Sequence, residues 1–131
     1  MFHSELKRIM YVEDELDIIV IAKIALEDMG HYQLQCCNSG KEALQVASSF
    51  KPQLFIIDVM MPEMDGLTTM HELRKLSEFK KTPVIFMTAK VQASEIQEYI
   101  SQGAVDVISK PFDPLMLANH IQKIWDKAHA K

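Results

Sequence analysis

Short apolar runs alternate along the chain with longer segments in which apolar positions recur every three or four residues. That alternation is the signature of repeated βα units built around a parallel sheet. The strand candidates are RIMYV (Arg8 to Val12), YQLQCC (Tyr32 to Cys37), LFIID (Leu54 to Asp58), VIFMT (Val84 to Thr88) and VDVIS (Val105 to Ser109). The second alternates polar and apolar residues, as an edge strand does. The third and fourth are nearly continuous apolar runs, which fits central strands covered on both faces.

The intervening segments carry helix punctuation. In the first, Ile18, Ala22, Ala25, Leu26 and Met29 fall on one face, and Gly30 is placed to end the helix. Ser39 followed by Glu42 forms a capping box for the second helix. Gly66 opens the third, with Leu67, Met70 and Leu73 on its inner face; Asp65 and Gly66 read as turn and cap residues. The fourth is expected to start near Ser94, with Gln97 three residues on, and to stop before Gly103. For the fifth, Asp113 is the expected cap and Pro114 the first helical residue, and Leu117, Ile121, Ile124, Trp125 and Ala128 form the buried stripe.

Five such units with right-handed crossovers give an α/β, flavodoxin-like (βα)5 fold, its five-stranded parallel sheet in the order 2-1-3-4-5 with helices on both faces. All strand ends then lie along one edge, where open α/β sheets bind ligands. The first strand runs into Glu13 and Asp14, the third ends at Asp58, the fourth at Thr88, and the fifth leads to Lys110. With neighbouring strands about 4.8 Å apart, the acids after strands one and three reach a common point, and Lys110 can reach back from about 10 Å.

Composition narrows the class without altering this picture. The 131 residues suit one domain, here 1–131 with a core of about 6–128 and no linker. Apolar residues make up 48% and charged residues 24%, the balance of a folded chain. A formal charge of -4 and a pI near 5.7 argue against direct nucleic-acid binding. The densest apolar run, Ile18 to Leu26, is broken by Lys23 and falls short of the roughly 20 residues of a membrane span. The N-terminus has no signal-peptide pattern, so no membrane association and a cytoplasmic location are expected. Cys36 and Cys37 are adjacent, too close for an ordinary disulfide, and are read as reduced strand residues.

Three carboxylates brought this close repel, each pair by about 4 kcal/mol at 4 Å and an effective dielectric of 20. A hard divalent cation with oxygen ligands relieves that repulsion; Mg2+, or Mn2+ in its place, fits an all-oxygen set without His or Cys. A cation with open positions, beside a threonine hydroxyl and a lysine ammonium, suits a phosphoryl group. Asp58 is then the nucleophile that forms an aspartyl phosphate, with the Thr88 hydroxyl and Lys110 neutralising the transferring oxygens.

The segments VED at the first strand, DVMMPEMDG around Asp58, MTA at the fourth strand and SKPF at the fifth appear in order, each at a strand end. Together they resemble the receiver domain of two-component response regulators, over nearly the whole chain. The resemblance implies that Asp58 accepts a phosphoryl group from a histidine kinase or a histidine phosphotransfer protein. It further implies a metal site of Glu13, Asp14, Asp58 and the Met60 backbone carbonyl, phosphoryl contacts from Thr88 and Lys110, and access for the donor past Ala89. It places Met60 and Lys90 where the family tunes the lifetime of the phosphoryl group. One position departs: the family usually carries Tyr or Phe three residues before the strand-five lysine, and this chain has Val107, stiff at χ1 and without a ring.

Taken singly, each site residue has a bland reading: Asp58 a polar strand end, Thr88 a turn residue, Lys110 a solvated charge before Pro111. Their coincidence at matching strand ends favours the functional one. The dispersed histidines His3, His31, His71, His120 and His129 read as surface groups, and the nine methionines mostly as core filling, with Met60, Met61 and Met64 clustered in the loop after Asp58. On the first helix Val20 and Ile24 project away from the core and Ile21 lies at its margin, an apolar surface on which a phosphodonor could dock. The expected protein is a stand-alone switch and not an enzyme acting on external substrates. It catalyses only its own phosphorylation and dephosphorylation, passes the signal to an effector through the surface around the fourth and fifth helices, and exists as a monomer or a weak phosphorylation-dependent homodimer. Three rivals fit less well. A phosphatase would want an acid at Met60, a flavin carrier is opposed by the acidic EDELD loop, and a module that is never phosphorylated would not need the full acid, hydroxyl and lysine set.

Overall fold

The computed structural model describes residues 5–89 and 92–130. Five strands, β1 (Arg8–Val12), β2 (Gln33–Cys37), β3 (Leu54–Asp58), β4 (Val84–Thr88) and β5 (Asp106–Ser109), form one parallel sheet in the order β2-β1-β3-β4-β5. The fold and strand order are those expected from the apolar runs; β2 and β5 each start one residue later. Five helices connect and flank them: α1 (Leu16–Lys23), α2 (Gly40–Phe50), α3 (Gly66–Arg74), α4 (Ala93–Ser101) and α5 (Leu117–Ala128).

Strand alternation divides the core in two. Ile9, Tyr11, Leu54, Ile56, Ile85 and Ile108 face α1 and α5, where they meet Ala22, Leu26, Leu117 and Ile121. Met10, Val12, Phe55, Ile57, Phe86 and Val107 face the other way, against α2, α3 and α4. No residue of α4 is fully buried; it rests on the sheet through Ile96 and Tyr99, whose ring stands edge-on to Phe86 at 5.4 Å.

The expected caps hold for the second and third helices, Gly30 ends the first and the fourth stops before Gly103 as expected, while the starts of the fourth and fifth shift. Ser39 caps α2 by accepting from the Glu42 amide at 3.0 Å, while Glu42 Oε1 accepts from the Asn38 amide. Asp65 caps α3 through the Thr68 amide at 2.8 Å. By contrast α4 begins at Ala93, so Ser94 is already helical and cannot cap, and Gln92 makes no capping bond. Asp113 caps a separate turn, accepting from the Leu115 amide at 2.9 Å, and α5 starts only at Leu117; Ala128 at its end is exposed. The first helix changes pitch: α1 passes into a π-helical segment, Ile24–Met29. Its wider turn keeps Ala25 and Leu26 on the core but turns Met29 outward, where it is exposed, and the buried face includes Ile19.

Candidate functional site

The sheet ladder continues one residue past three strands and fixes the backbone of the site. The Glu13 amide donates to the Cys37 carbonyl at 2.9 Å, Val59 to Met87 at 3.0 Å, and Lys110 to Thr88 at 2.9 Å. Glu13, Asp58 and Lys110 therefore leave the sheet edge from anchored positions, and Thr88 closes β4 opposite Ser109. A fourth anchor lies beneath Asp58. The Gly66 amide donates to the Val59 carbonyl at 2.9 Å, and a Cβ at Gly66 would lie 2.6 Å from the Asp58 carbonyl oxygen and 2.9 Å from Val59 Cα.

Glu13 is wholly buried, Asp58 and Thr88 nearly so, and Asp14 is half-buried. One carboxylate oxygen from each of Glu13, Asp14 and Asp58 lies within 4.8 Å of the others. Lys110 reaches back across the sheet as its stem length allows: its Nζ lies 3.1 Å from Glu13 Oε1, 3.2 Å from Asp58 Oδ1 and 3.5 Å from Glu15 Oε1. The second oxygen of Glu13 accepts from the Glu15 amide at 3.2 Å. The Lys110–Pro111 peptide that follows is cis.

The charges perturb one another. Burial pushes the Glu13 carboxyl up to about 7, aided by the Asp58 charge and opposed by the Glu15 amide and Lys110. Burial likewise raises Asp58, with Lys110 pulling the other way. For Lys110 burial acts to lower the value, but the hydrogen bond and charge of Glu13 together with Asp58 outweigh it, and the ammonium is held above its ordinary range. One ammonium against three clustered carboxylates leaves an excess of negative charge with only oxygen donors, and that set fits a hard divalent cation.

The other expected residues are placed as follows. Met60, two residues after Asp58, is 72% exposed, and Ala89 after Thr88 is exposed; Lys90 lies outside the described residues. Val107 is buried against the α4 side of the core. Val20, Ile21 and Ile24 are all exposed, as is Leu16 at the start of α1. Ile21 and Ile18 line a groove of about 100 Å³ with Lys110, Pro111, Phe112 and Pro114, so one end of the apolar surface opens at the site's own cation. Of the described histidines, His31, His71 and His120 are exposed and His129 packs on Trp125. Sequence reasoning missed Glu15 as a partner of Lys110, although it directly follows the two acids, and it missed the close approach at Gly66.

The sequence matches the response regulator receiver domain family over residues 9–122. It is 35% identical over 110 residues to the regulatory protein AtoC of Escherichia coli, covering 84% of this chain and 23% of that protein. It is 34% identical over 108 residues to the alkaline phosphatase synthesis transcriptional regulatory protein PhoP of Bacillus subtilis, covering 82% of this chain and 44% of that one. The chain thus spans half or less of the length of these two relatives. Among solved structures, the chemotaxis response regulator CheY4 of Vibrio cholerae superposes with a TM-score of 0.84 at 29% identity, over 92% of this chain and 99% of that one.

Proposed function

This chain belongs to the response regulator receiver domain family, and from that membership we propose that it is a phosphoacceptor switch in which Asp58 takes a phosphoryl group from a phosphohistidine donor. Receiver domains partner with histidine kinases or histidine phosphotransfer proteins, and the donor is of that class. The observation that carries the reading is the Lys110 ammonium seated 3.2 Å from Asp58 Oδ1, in a cluster of acids of which Glu13 and Asp58 are buried. We read residues 1–131 as a single receiver domain.

In the transfer, a carboxylate oxygen of Asp58 attacks phosphorus, the bond from phosphorus to the donor's imidazole nitrogen breaks, and the electron pair leaves with the imidazole. Glu13, Asp14, Asp58 and the Met60 carbonyl would hold Mg2+ or Mn2+, which supplies charge neutralisation for the phosphoryl oxygens. Lys110 meets the same oxygens from the β5 side and Thr88 from β4. The exposed Ala89 leaves the approach open. The donor docks on Val20, Ile21 and Ile24, whose surface leads through the Phe112 groove to Lys110.

The phosphoryl group brings about two negative charges to a site already rich in acid. Thr88 and Lys110 are drawn toward it, and the population of the surface around α4 and α5 shifts toward the form an effector reads. Because Val107 has no ring to turn inward, transmission runs through Thr88 and the segment after it to α4, which the core holds only through partly buried side chains.

Intact-mass measurement after incubation with acetyl phosphate and Mg2+ tests the reading. A single phosphoryl adduct, absent in Asp58→Asn, supports it. An adduct that survives in Asp58→Asn, or repeated hydrolysis of unrelated phosphate esters, overturns it in favour of another acceptor or a phosphatase.

A further inference from the structure

The Lys110 ammonium has three N–H donors, and three carboxylates stand around it. Its Nζ lies 3.1 Å from Glu13 Oε1, 3.2 Å from Asp58 Oδ1 and 3.5 Å from Glu15 Oε1. By the phosphoacceptor reading, two of the three have other work in the loaded site. Glu13 and Asp58 belong to the group whose oxygens gather within 4.8 Å for a cation, and Asp58 also carries the phosphoryl group. Glu15 is not in that group, and among the described residues its ion pair is with Lys110 alone.

The backbone sets Glu15 in this place. Its amide donates to Glu13 Oε2 at 3.2 Å, and its carbonyl accepts from the Ile19 amide at 3.1 Å as the first turn of α1 closes. Glu15 is thus the cap residue of α1, yet its side chain accepts no capping hydrogen bond. First-turn amides offer an acid at this position local donors, and the carboxylate reaches across to Lys110 instead. The side chain is 62% exposed, so water competes for it and the pair is of the weak, exchangeable kind.

We propose that Glu15 is a positioning residue that competes with the phosphoryl oxygens for Lys110 and so limits how tightly the site holds the phosphoryl group. The inference rests on the phosphoacceptor reading and deepens it. With Glu13 and Asp58 engaged at the cation, Glu15 is the carboxylate that still claims the ammonium, and each excursion of Lys110 toward it uncovers the phosphoryl oxygens. No covalent bond changes; one acceptor replaces another on the same donor.

Glu15→Gln keeps the length of the side chain and removes its charge. At saturating Mg2+ the variant should bind beryllofluoride, a phosphoryl mimic, roughly two- to fivefold more tightly than the unaltered protein by calorimetry, the range that an exposed ion pair commands. Glu15→Asp keeps the charge but is a methylene shorter and is the acid that caps helices, so it should turn to α1 and bind the mimic as tightly as Glu15→Gln. Asp17→Asn removes an exposed charge from the first turn of α1 and should change nothing. The metal-free urea midpoint of Glu15→Gln should match that of the unaltered protein, because an exposed pair adds little stability. Unchanged or weaker binding in Glu15→Gln, binding by Glu15→Asp equal to that of the unaltered protein, tightening by Asp17→Asn equal to that of Glu15→Gln, or a marked fall in the metal-free midpoint would each overturn the proposal. The two readings fail differently. If no adduct forms at Asp58 in the unaltered protein, both fall; if the adduct forms and Glu15→Gln binds the mimic no more tightly, only the role of Glu15 falls.

Discussion

Lys110 is the residue on which the site's electrostatics turn, since its ammonium lies within 3.5 Å of carboxylate oxygens from three residues and two of those residues are almost fully buried. Lys110→Met leaves Glu13 and Asp58 uncompensated and should cost about 3 kcal/mol of metal-free stability at neutral pH, read from urea unfolding. A loss within error of zero would mean that the pairing adds little. The cysteines show a different effect of burial. It pushes the Cys37 thiol up to about 12 and the Cys36 thiol up to about 11 from an ordinary 9.0. A group whose folded value is raised contributes stability fully present below its unfolded value and lost as pH rises through the folded one. Unfolding free energy measured between pH 8 and 11 should therefore fall more steeply in the unaltered protein than in Cys36→Ala, and iodoacetamide should label the folded protein slowly at pH 8. The alternating run Tyr32 to Cys37 placed these thiols on a strand, and their adjacency argued against an ordinary disulfide. The sequence could not give their burial, which depends on what the neighbouring elements lay over them.

At the scale of elements, the contact between the α3 start and the end of β3 sets the reactive loop. A Cβ at Gly66 would meet only backbone, at Asp58 and Val59, and neither can move aside as a flexible side chain would. Gly66→Ala should cost about 1 to 3 kcal/mol in urea unfolding and slow formation of the Asp58 adduct in a mass-spectrometric time course. The sequence showed Gly66 as a helix opening because capping is a local signal. The close approach stayed hidden because it depends on how α3 (Gly66–Arg74) packs under β3, which ends at Asp58. Along the first helix, apolar periodicity left Val20 and Ile24 outside the core and Ile21 at its margin, and all three are exposed; but it assumed one pitch throughout, and the π-helical segment changed which residue faces out beyond Leu26. Ile21→Glu puts a charge where the surface meets the Lys110 groove. It should slow phosphotransfer from the cognate protein donor while leaving acetyl phosphate labelling unchanged; equal loss in both assays would remove the docking role.

At the scale of the whole molecule, the strand order decides the chemistry. Acids from the ends of β1 and β3 meet because those strands are neighbours, and a ligand that binds only this assembled form must stabilise it. Mg2+ at one hundred times its dissociation constant should add about 2.7 kcal/mol, visible as a rise in the thermal midpoint that Asp14→Ala abolishes. What the sequence determined alone was whatever neighbouring residues impose on one another: five apolar runs of strand length, the caps at Ser39 and Asp65, and the chemical kinds of side chain that follow each strand. Alternation and capping act over a few residues, so one chain suffices to read them. Only the tertiary structure decided that Lys110 bonds Glu13 as well as Asp58, that the Gly66 position admits no Cβ, and that the Tyr11 hydroxyl is sealed in without a partner. Those facts depend on side-chain directions across strands and helices far apart in sequence, and packing fixes such directions through space.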